Sequence, residues 1–257
     1  MDEKDWSLPE GRTKRVDTSM GFDASPWEMF VIRVTVLIIS FVTRALDVAL
    51  LLFRPRLLGP YLRVWLAEFL RSPYRLAASF EVVRVLKASG QDMRELVYGE
   101  TPVATAAWLF HRAGLGRGGR LVDVVAGRGR ALLGARWLGA EARGVDLLER
   151  HVASVSGAMR KAGVSLKVGD ATREDLGDAT HVYLAWTCLG PDTRARVIER
   201  LRTCAPGTRI ITVTRPLEAP GFITVSRHWV LFTWGFERVW IHEYRPRLEQ
   251  DVVPTSS

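Results

Sequence analysis

Three acids and two glycines stand where strand-like runs of the sequence end. Residues 120–125 (RLVDVV) contain Asp123 and lead into Ala126-Gly127-Arg128-Gly129. Residues 141–146 (EARGVD) close on Asp146, 23 residues after Asp123. Asp170 follows the run 165–169 (SLKVG). Glycines at a strand-to-helix turn let a ligand approach the backbone and open the first helical amides to its polar groups. A carboxylate at the tip of the second strand can accept hydrogen bonds from both hydroxyls of a ribose. A third, one strand further on, can meet the exocyclic amine of an adenine. Each residue alone is ordinary: a Gly-x-Gly turn is often only a turn, and Asp170 before Ala171-Thr172 also reads as a helix N-cap. Taken together and in order, they point to an adenosine-bearing ligand.

The elements that must carry these residues follow from the patterning. Further strand-like runs lie at 180–185 (THVYLA) and 208–214 (TRIITVT), with helical segments at 129–138, 148–162 and 191–203 between. Helical segments at 75–89 and 102–114 precede the alternation. This βαβ rhythm implies a parallel sheet covered on both faces. It ends in two adjacent runs, 222–232 and 236–244, joined through Thr233-Trp234-Gly235. The expected fold is α/β: a doubly wound, mostly parallel seven-stranded sheet with a C-terminal antiparallel hairpin, preceded by an N-terminal hydrophobic helix.

Glycine turn, ribose acid, adenine acid and closing hairpin together resemble a class I S-adenosylmethionine-dependent methyltransferase over about residues 96–244. A narrower resemblance rests on Tyr98-Gly99-Glu100-Thr101 ahead of the glycine turn, Gly190-Pro191 after the fourth strand and Thr214-Arg215-Pro216-Leu217 after the fifth. This pattern is similar to the non-SET lysine methyltransferases of the disruptor-of-telomeric-silencing family and their bacterial relatives. The resemblance implies S-adenosyl-L-methionine as cofactor, with Tyr98, Glu100 and Thr101 lining it, Gly127 and Gly129 beneath it, and Asp123, Asp146 and Asp170 around it. Two positions depart from the family. Val125 stands where the first glycine of the turn is usual, and Ala185-Trp186-Thr187-Cys188-Leu189 lacks the family's asparagine after strand four.

Methyl transfer from a sulfonium chiefly requires in-line alignment and exclusion of water. Trp186, Thr187 and Cys188, following the fourth strand, are the candidate catalytic residues, since acceptor and cofactor should meet there. Trp186 suits a wall against the acceptor or a lid on the core. Cys188 suits a small buried apolar residue better than a nucleophile. The five histidines do not cluster, His111 and His151 read as helix-surface residues, and no metal-ligand spacing occurs. Trp229, Trp234 and Trp240 read as packing for the closing hairpin. The acceptor is expected to be a protein (a lysine on the resemblance) or a small molecule. The Asn-Pro-Pro-aromatic signature of nucleic-acid amine methyltransferases is absent, which disfavours nucleic acid as a partner.

The 257 residues suffice for one α/β domain and an appendage. A hydrophobic share of 47% excludes global disorder, and two cysteines exclude a disulfide scaffold. The formal net charge is +8, but residues 1–29 hold seven acids and four bases, so the excess lies later. Residues 54–94 carry eight bases against three acids. They follow a 24-residue segment, 30–53, with 18 apolar side chains. As a helix of about 36 Å it would reach across a bilayer. Arg33, Ser40, Arg44 and Asp47 fall on one stripe of it. A spanning helix is the leading expectation, with the catalytic domain on the cytoplasmic side by the positive-inside rule. An in-plane helix, or one packed on the domain, is the alternative. The expected organisation is a polar tail (1–27), the hydrophobic helix (28–56), a basic amphipathic helical linker (57–95), the methyltransferase domain (96–246) and a short tail (247–257). Three functions fit: a membrane-tethered methyltransferase, a non-catalytic scaffold retaining its fold, and, less well, a nicotinamide-dependent oxidoreductase.

Overall fold

The computed structural model describes residues 26–70, 100–185 and 189–246. The segment expected as a helix at 75–89, Tyr98, and Trp186, Thr187 and Cys188 lie outside the described residues. The chain divides into two units, 1–35 and 36–257. In the first, Trp27 and Phe30 stack at 5.6 Å on the opening turns of helix α1 (Pro26–Leu52). The second unit holds everything that follows.

Seven strands form one sheet in the order β3-β2-β1-β4-β5-β7-β6. They are β1 (Arg120–Asp123), β2 (Glu141–Asp146), β3 (Val164–Val168), β4 (His181–Ala185), β5 (Arg209–Val213), β6 (Phe222–Phe232) and β7 (Gly235–Tyr244). The first five pair in parallel, and β7 runs antiparallel to both β5 and β6. Their tips therefore align: Asp123 lies opposite Gly144 and Tyr183, and Ala185 opposite Val213. The helices are α2 (Leu58–Leu70), α3 (Val103–Arg112), α4 (Arg130–Trp137), α5 (Glu149–Lys161) and α6 (Pro191–Leu201).

Alternation along the buried strands feeds two apolar layers, as period-two strands covered on both faces require. Leu121, Tyr183 and Ile211 enter one cluster with side chains of α2, α3, α4 and α5. Val122, Val182, Leu184 and Ile210 enter the other, with Val197 and Leu201 of α6. Helices α3 and α4 touch through Gly134, where an added Cβ would fall 2.8 Å from that of Ala106. At the sheet's end, Phe232 stacks on Trp234 at 4.6 Å. The hairpin tip is tied down by Thr105 Oγ1 donating to the Leu231 carbonyl (2.7 Å) and Thr233 Oγ1 to that of Glu100 (3.1 Å).

The spanning-helix expectation is not met: among the described residues no helix is long and apolar enough to cross a membrane. The polar stripe explains why. Asp47 is fully buried, and its Oδ1 accepts the Ala104 backbone N–H at 2.8 Å. The preceding N-cap is Pro102, which has no side-chain oxygen to offer, so a residue of α1 satisfies an otherwise orphaned donor of α3. Arg44 pairs with Glu68 of α2 at 3.6 Å, and the Trp137 indole N–H donates to the Leu50 carbonyl at 3.1 Å. The partners of Asp47 and Arg44 are thus α3 and α2 of the same chain. In α2, Tyr61, Val64 and Ala67 join the core, whereas Trp65 and Phe69 face outward.

Candidate functional site

Strand β1 ends at Asp123, and the chain turns through Gly127 (φ 56°) and Gly129 (φ 77°) into α4. Both glycines sit in the left-handed region, which side chains with a Cβ rarely adopt. The Gly127 N–H donates to Asp146 Oδ2 at 2.8 Å, joining the turn to the tip of β2. Asp146 Oδ1 accepts the Leu148 N–H at 3.0 Å and stands 3.4 Å from His151 Nδ1. A carboxylate has about four acceptor positions, so Asp146 retains capacity for ligand hydroxyls beside its two backbone bonds. Asp123 has less support. Its Oδ1 accepts the Val125 N–H at 3.1 Å. Burial, together with the nearby Asp146 charge, outweighs that bond and raises its carboxyl from 3.8 to about 7. A buried acid in that state is matched by a ligand that brings positive charge. Val125 itself is half-buried, and its side chain packs against the apolar cluster on the α6 side.

The turn is held from behind by charges. Arg130 lies almost wholly buried at the start of α4, with Nε 3.0 Å from Glu100 Oε2 and Nη2 bonded to Glu68 Oε2 of α2. Arg128, between the two glycines, is also buried, with Nη1 3.4 Å from Glu100 Oε1. Burial alone would lower the Arg130 guanidinium, but Glu100 and Glu68 outweigh it and hold it above its ordinary value. Burial and the Glu100 charge raise Glu68 in turn. Arg130 also lies 5.8 Å from the centre of the Tyr61 ring. Glu100, expected to line a cofactor, is therefore placed as the counter-ion of two arginines in the glycine turn. The alternation Gly127-Arg128-Gly129-Arg130 was the available signal for this arrangement.

The remaining candidates are dispersed around the same rim. Thr101 Oγ1 and the Tyr183 hydroxyl are 2.7 Å apart, and burial raises the Tyr183 phenol above its ordinary range. Asp170 is partly exposed beyond β3; its Oδ1 accepts both the backbone N–H and the hydroxyl of Thr172 at 2.8 Å, closing a local turn. Beyond β5, Thr214 has φ 73°, rare for a β-branched residue, and its N–H donates to the Arg238 carbonyl at 2.9 Å.

His151, expected on a helix surface, is buried against Asp146. His242 is also buried: its Nε2 accepts the Leu217 N–H at 3.1 Å, and its Nδ1 lies 3.1 Å from Thr224 Oγ1. Burial lowers its pKa to about 4. Trp229, expected to pack the hairpin, is 63% exposed.

No family model matches the sequence. An uncharacterized protein of Mycobacterium tuberculosis is 26% identical over 191 residues, 72% of this chain, and one of Mycobacterium bovis matches to the same extent. The chain spans 63% of the length of these curated relatives. Among solved structures, an RNA methyltransferase from Salinibacter ruber, in complex with S-adenosyl-L-homocysteine, superposes with a TM-score of 0.50 and 21% identity. The superposition covers 59% of this chain and 97% of that one. The likeness is one of fold: the seven-stranded sheet with its antiparallel C-terminal strands fits a methyltransferase fold.

Proposed function

We propose that the chain binds S-adenosyl-L-methionine at the tips of β1, β2 and β3 and transfers its methyl group to an acceptor at the tip of β4. One observation carries this reading: the left-handed glycine turn after β1 is bonded directly to the acid ending β2, with a second, charge-starved acid at the end of β1. Bound there, the cofactor supplies a methyl carbon already activated by a sulfonium. Asp146 would accept the ribose hydroxyls, Asp170 would meet the adenine amine, and Gly127 and Gly129 would leave room for the chain between them. Asp123 would answer the cationic end, with Thr101, and Tyr98 and Glu100 on the family resemblance, closing over it. Trp186, Thr187 and Cys188 would wall the acceptor and exclude water; the acceptor's lone pair would bond the methyl carbon as the carbon–sulfur bond breaks, S-adenosyl-L-homocysteine would leave, and the acceptor's proton would pass to solvent before the attack. On the same resemblance the acceptor is a protein, with a small molecule as the alternative.

The N-terminal helices supply the setting. Leu37, Ile38, Phe41 and Phe53 of α1 and its end, and Phe69 of α2, are exposed, with Arg54, Arg56 and Arg63 exposed beside them. This composition suits attachment to the surface of an anionic membrane rather than passage through it.

Calorimetric titration of the full chain with S-adenosyl-L-homocysteine tests the cofactor claim; absence of heat at millimolar ligand rejects it. Labelled methyl from the cofactor should enter a component of fractionated lysate. Binding without any transfer would leave a scaffold that has kept the cofactor site. Sedimentation with phosphatidylglycerol vesicles should carry the chain down, and Phe41→Glu combined with Phe53→Glu should leave it in the supernatant.

A further inference from the structure

One face of the closing hairpin pairs aromatic with basic side chains across its two strands. In the β6–β7 register, Trp229 lies opposite Arg238, Arg227 opposite Trp240, and Leu231 opposite Phe236. Side chains alternate across a sheet, so these residues share one face. Each tryptophan therefore has an arginine directly across from it. The Arg238 guanidinium lies 4.9 Å from the centre of the Trp229 ring. Arg227, Trp229, Arg238 and Trp240 line a cavity of about 390 Å³. Trp229 and Phe236 are 63% and 69% exposed, far more than packing for the hairpin requires. The acid of this stretch, Glu237, lies opposite Val230 and so belongs to the other face.

We propose that this face binds a single strand of nucleic acid, with bases stacking on the tryptophans and phosphates meeting Arg227 and Arg238. Exposed rings interleaved with arginines are what an unpaired, charged, planar chain requires: every base has a π-face, and every linkage carries one negative charge. The lipid-suited surface on α1 is built differently, from adjacent apolar side chains such as Leu37, Ile38, Phe41 and Val42. Edge pairing with a second copy is opposed by the irregularity between Thr224 and Ser226 in the edge strand and by the arginine that follows it. The face also adjoins the proposed site. The Arg238 carbonyl receives the N–H of Thr214, one residue beyond β5, and β4 is the next strand in the sheet. A strand held on β7 thus lies about 10 Å from the tip of β4. The proposal rests on the methyl-transfer reading and replaces the protein acceptor suggested by the resemblance with a nucleic acid, against the disfavour that the absent Asn-Pro-Pro motif suggested. Its test needs no cofactor, so each reading can fail without the other.

The test measures fluorescence anisotropy of labelled single-stranded RNA and DNA of about 12 nucleotides, titrated with the full chain, beside phosphatidylglycerol vesicles and a size measurement. Single strands should bind, duplex should compete poorly, and affinity should fall with salt. Trp229→Ala should weaken binding at least about tenfold with an unchanged melting temperature, and Arg238→Ala should lower the salt slope by about one. The RNA and DNA arms identify the sugar. Failure of both the RNA and the DNA strand to bind overturns the proposal, as does equal binding by Trp229→Ala. Loss of vesicle binding, or of a dimer, in that variant in place of oligonucleotide binding also overturns it.

Discussion

The cradle at the tips of β1 and β2 and the closing hairpin both concentrate arginine, and they use it in opposite ways. In the cradle, Arg128 and Arg130 are buried and matched by Glu100 and Glu68, so their charge is spent on holding a turn. On the hairpin, Arg227 and Arg238 are exposed beside tryptophan rings, and their charge is directed outward. Desolvation makes the difference. A buried ion is costly once its partner is removed, whereas an exposed one contributes little to stability and keeps its capacity to bind.

The largest expected effect breaks the cradle. Arg130→Met leaves two carboxylates desolvated without their main partner, and urea unfolding should show a loss of about 3–5 kcal/mol. A loss under about 1 kcal/mol would mean that water screens the cluster. Next is Asp123→Asn. The folded carboxyl keeps its proton up to about pH 7 while the unfolded one releases it near 3.8, so stability is greatest at low pH and falls as pH rises between those values. The asparagine variant should lose this slope and unfold later than the parent at pH 8, by at most about 4 kcal/mol, while binding the cofactor more weakly. In the parent, a cationic ligand should draw the proton off, so calorimetry in buffers of different ionisation heat should show proton release on binding below pH 7. Third, Asp146→Ala should cost about 1.5–3 kcal/mol of cofactor affinity, through lost hydrogen bonds to an ionised acceptor; unchanged affinity in a folded variant removes Asp146 from the ribose role. At the root of the hairpin, His242 is held neutral to about pH 4, so its contribution is complete above 6.5 and is lost as pH falls toward 4. His242→Gln should flatten acid unfolding in that window. The smallest effect sharpens the contrast from the other side: Arg238→Ala should leave stability within about 0.5 kcal/mol.

The alternation of strands and helices was legible because each strand carries its own period and each turn its own glycine. The tips of β1 and β2 could be placed within a residue or two from Asp123, Gly127, Gly129 and Asp146. What the sequence concealed was partnership across distance. Arg130 and Glu68 are 62 residues apart, and Ala104 and Asp47 57 apart. Nothing local in either segment names the other. The stripe Arg44–Asp47 announces that α1 needs a polar partner, which a spanning helix beside another chain or a helix packed on the domain would each supply. Only the folded chain shows that α3 and α2 fill that role. The exposure of Trp229 is hidden for a related reason: the period of β6 fixes which residues share a face, but whether that face is covered depends on helices elsewhere.

The capping of α3 by Asp47 has a consequence for synthesis. The first helix leaves the ribosome well before the segment it must serve. At about 5–20 residues per second, the 57 residues between them represent roughly 3–12 s of translation. Throughout that interval α1 displays Leu51 and its other apolar side chains together with an uncapped acid, before its docking site exists. The packing of α1 is therefore completed only after the later segment has been made, so its docking cannot be an early event of folding.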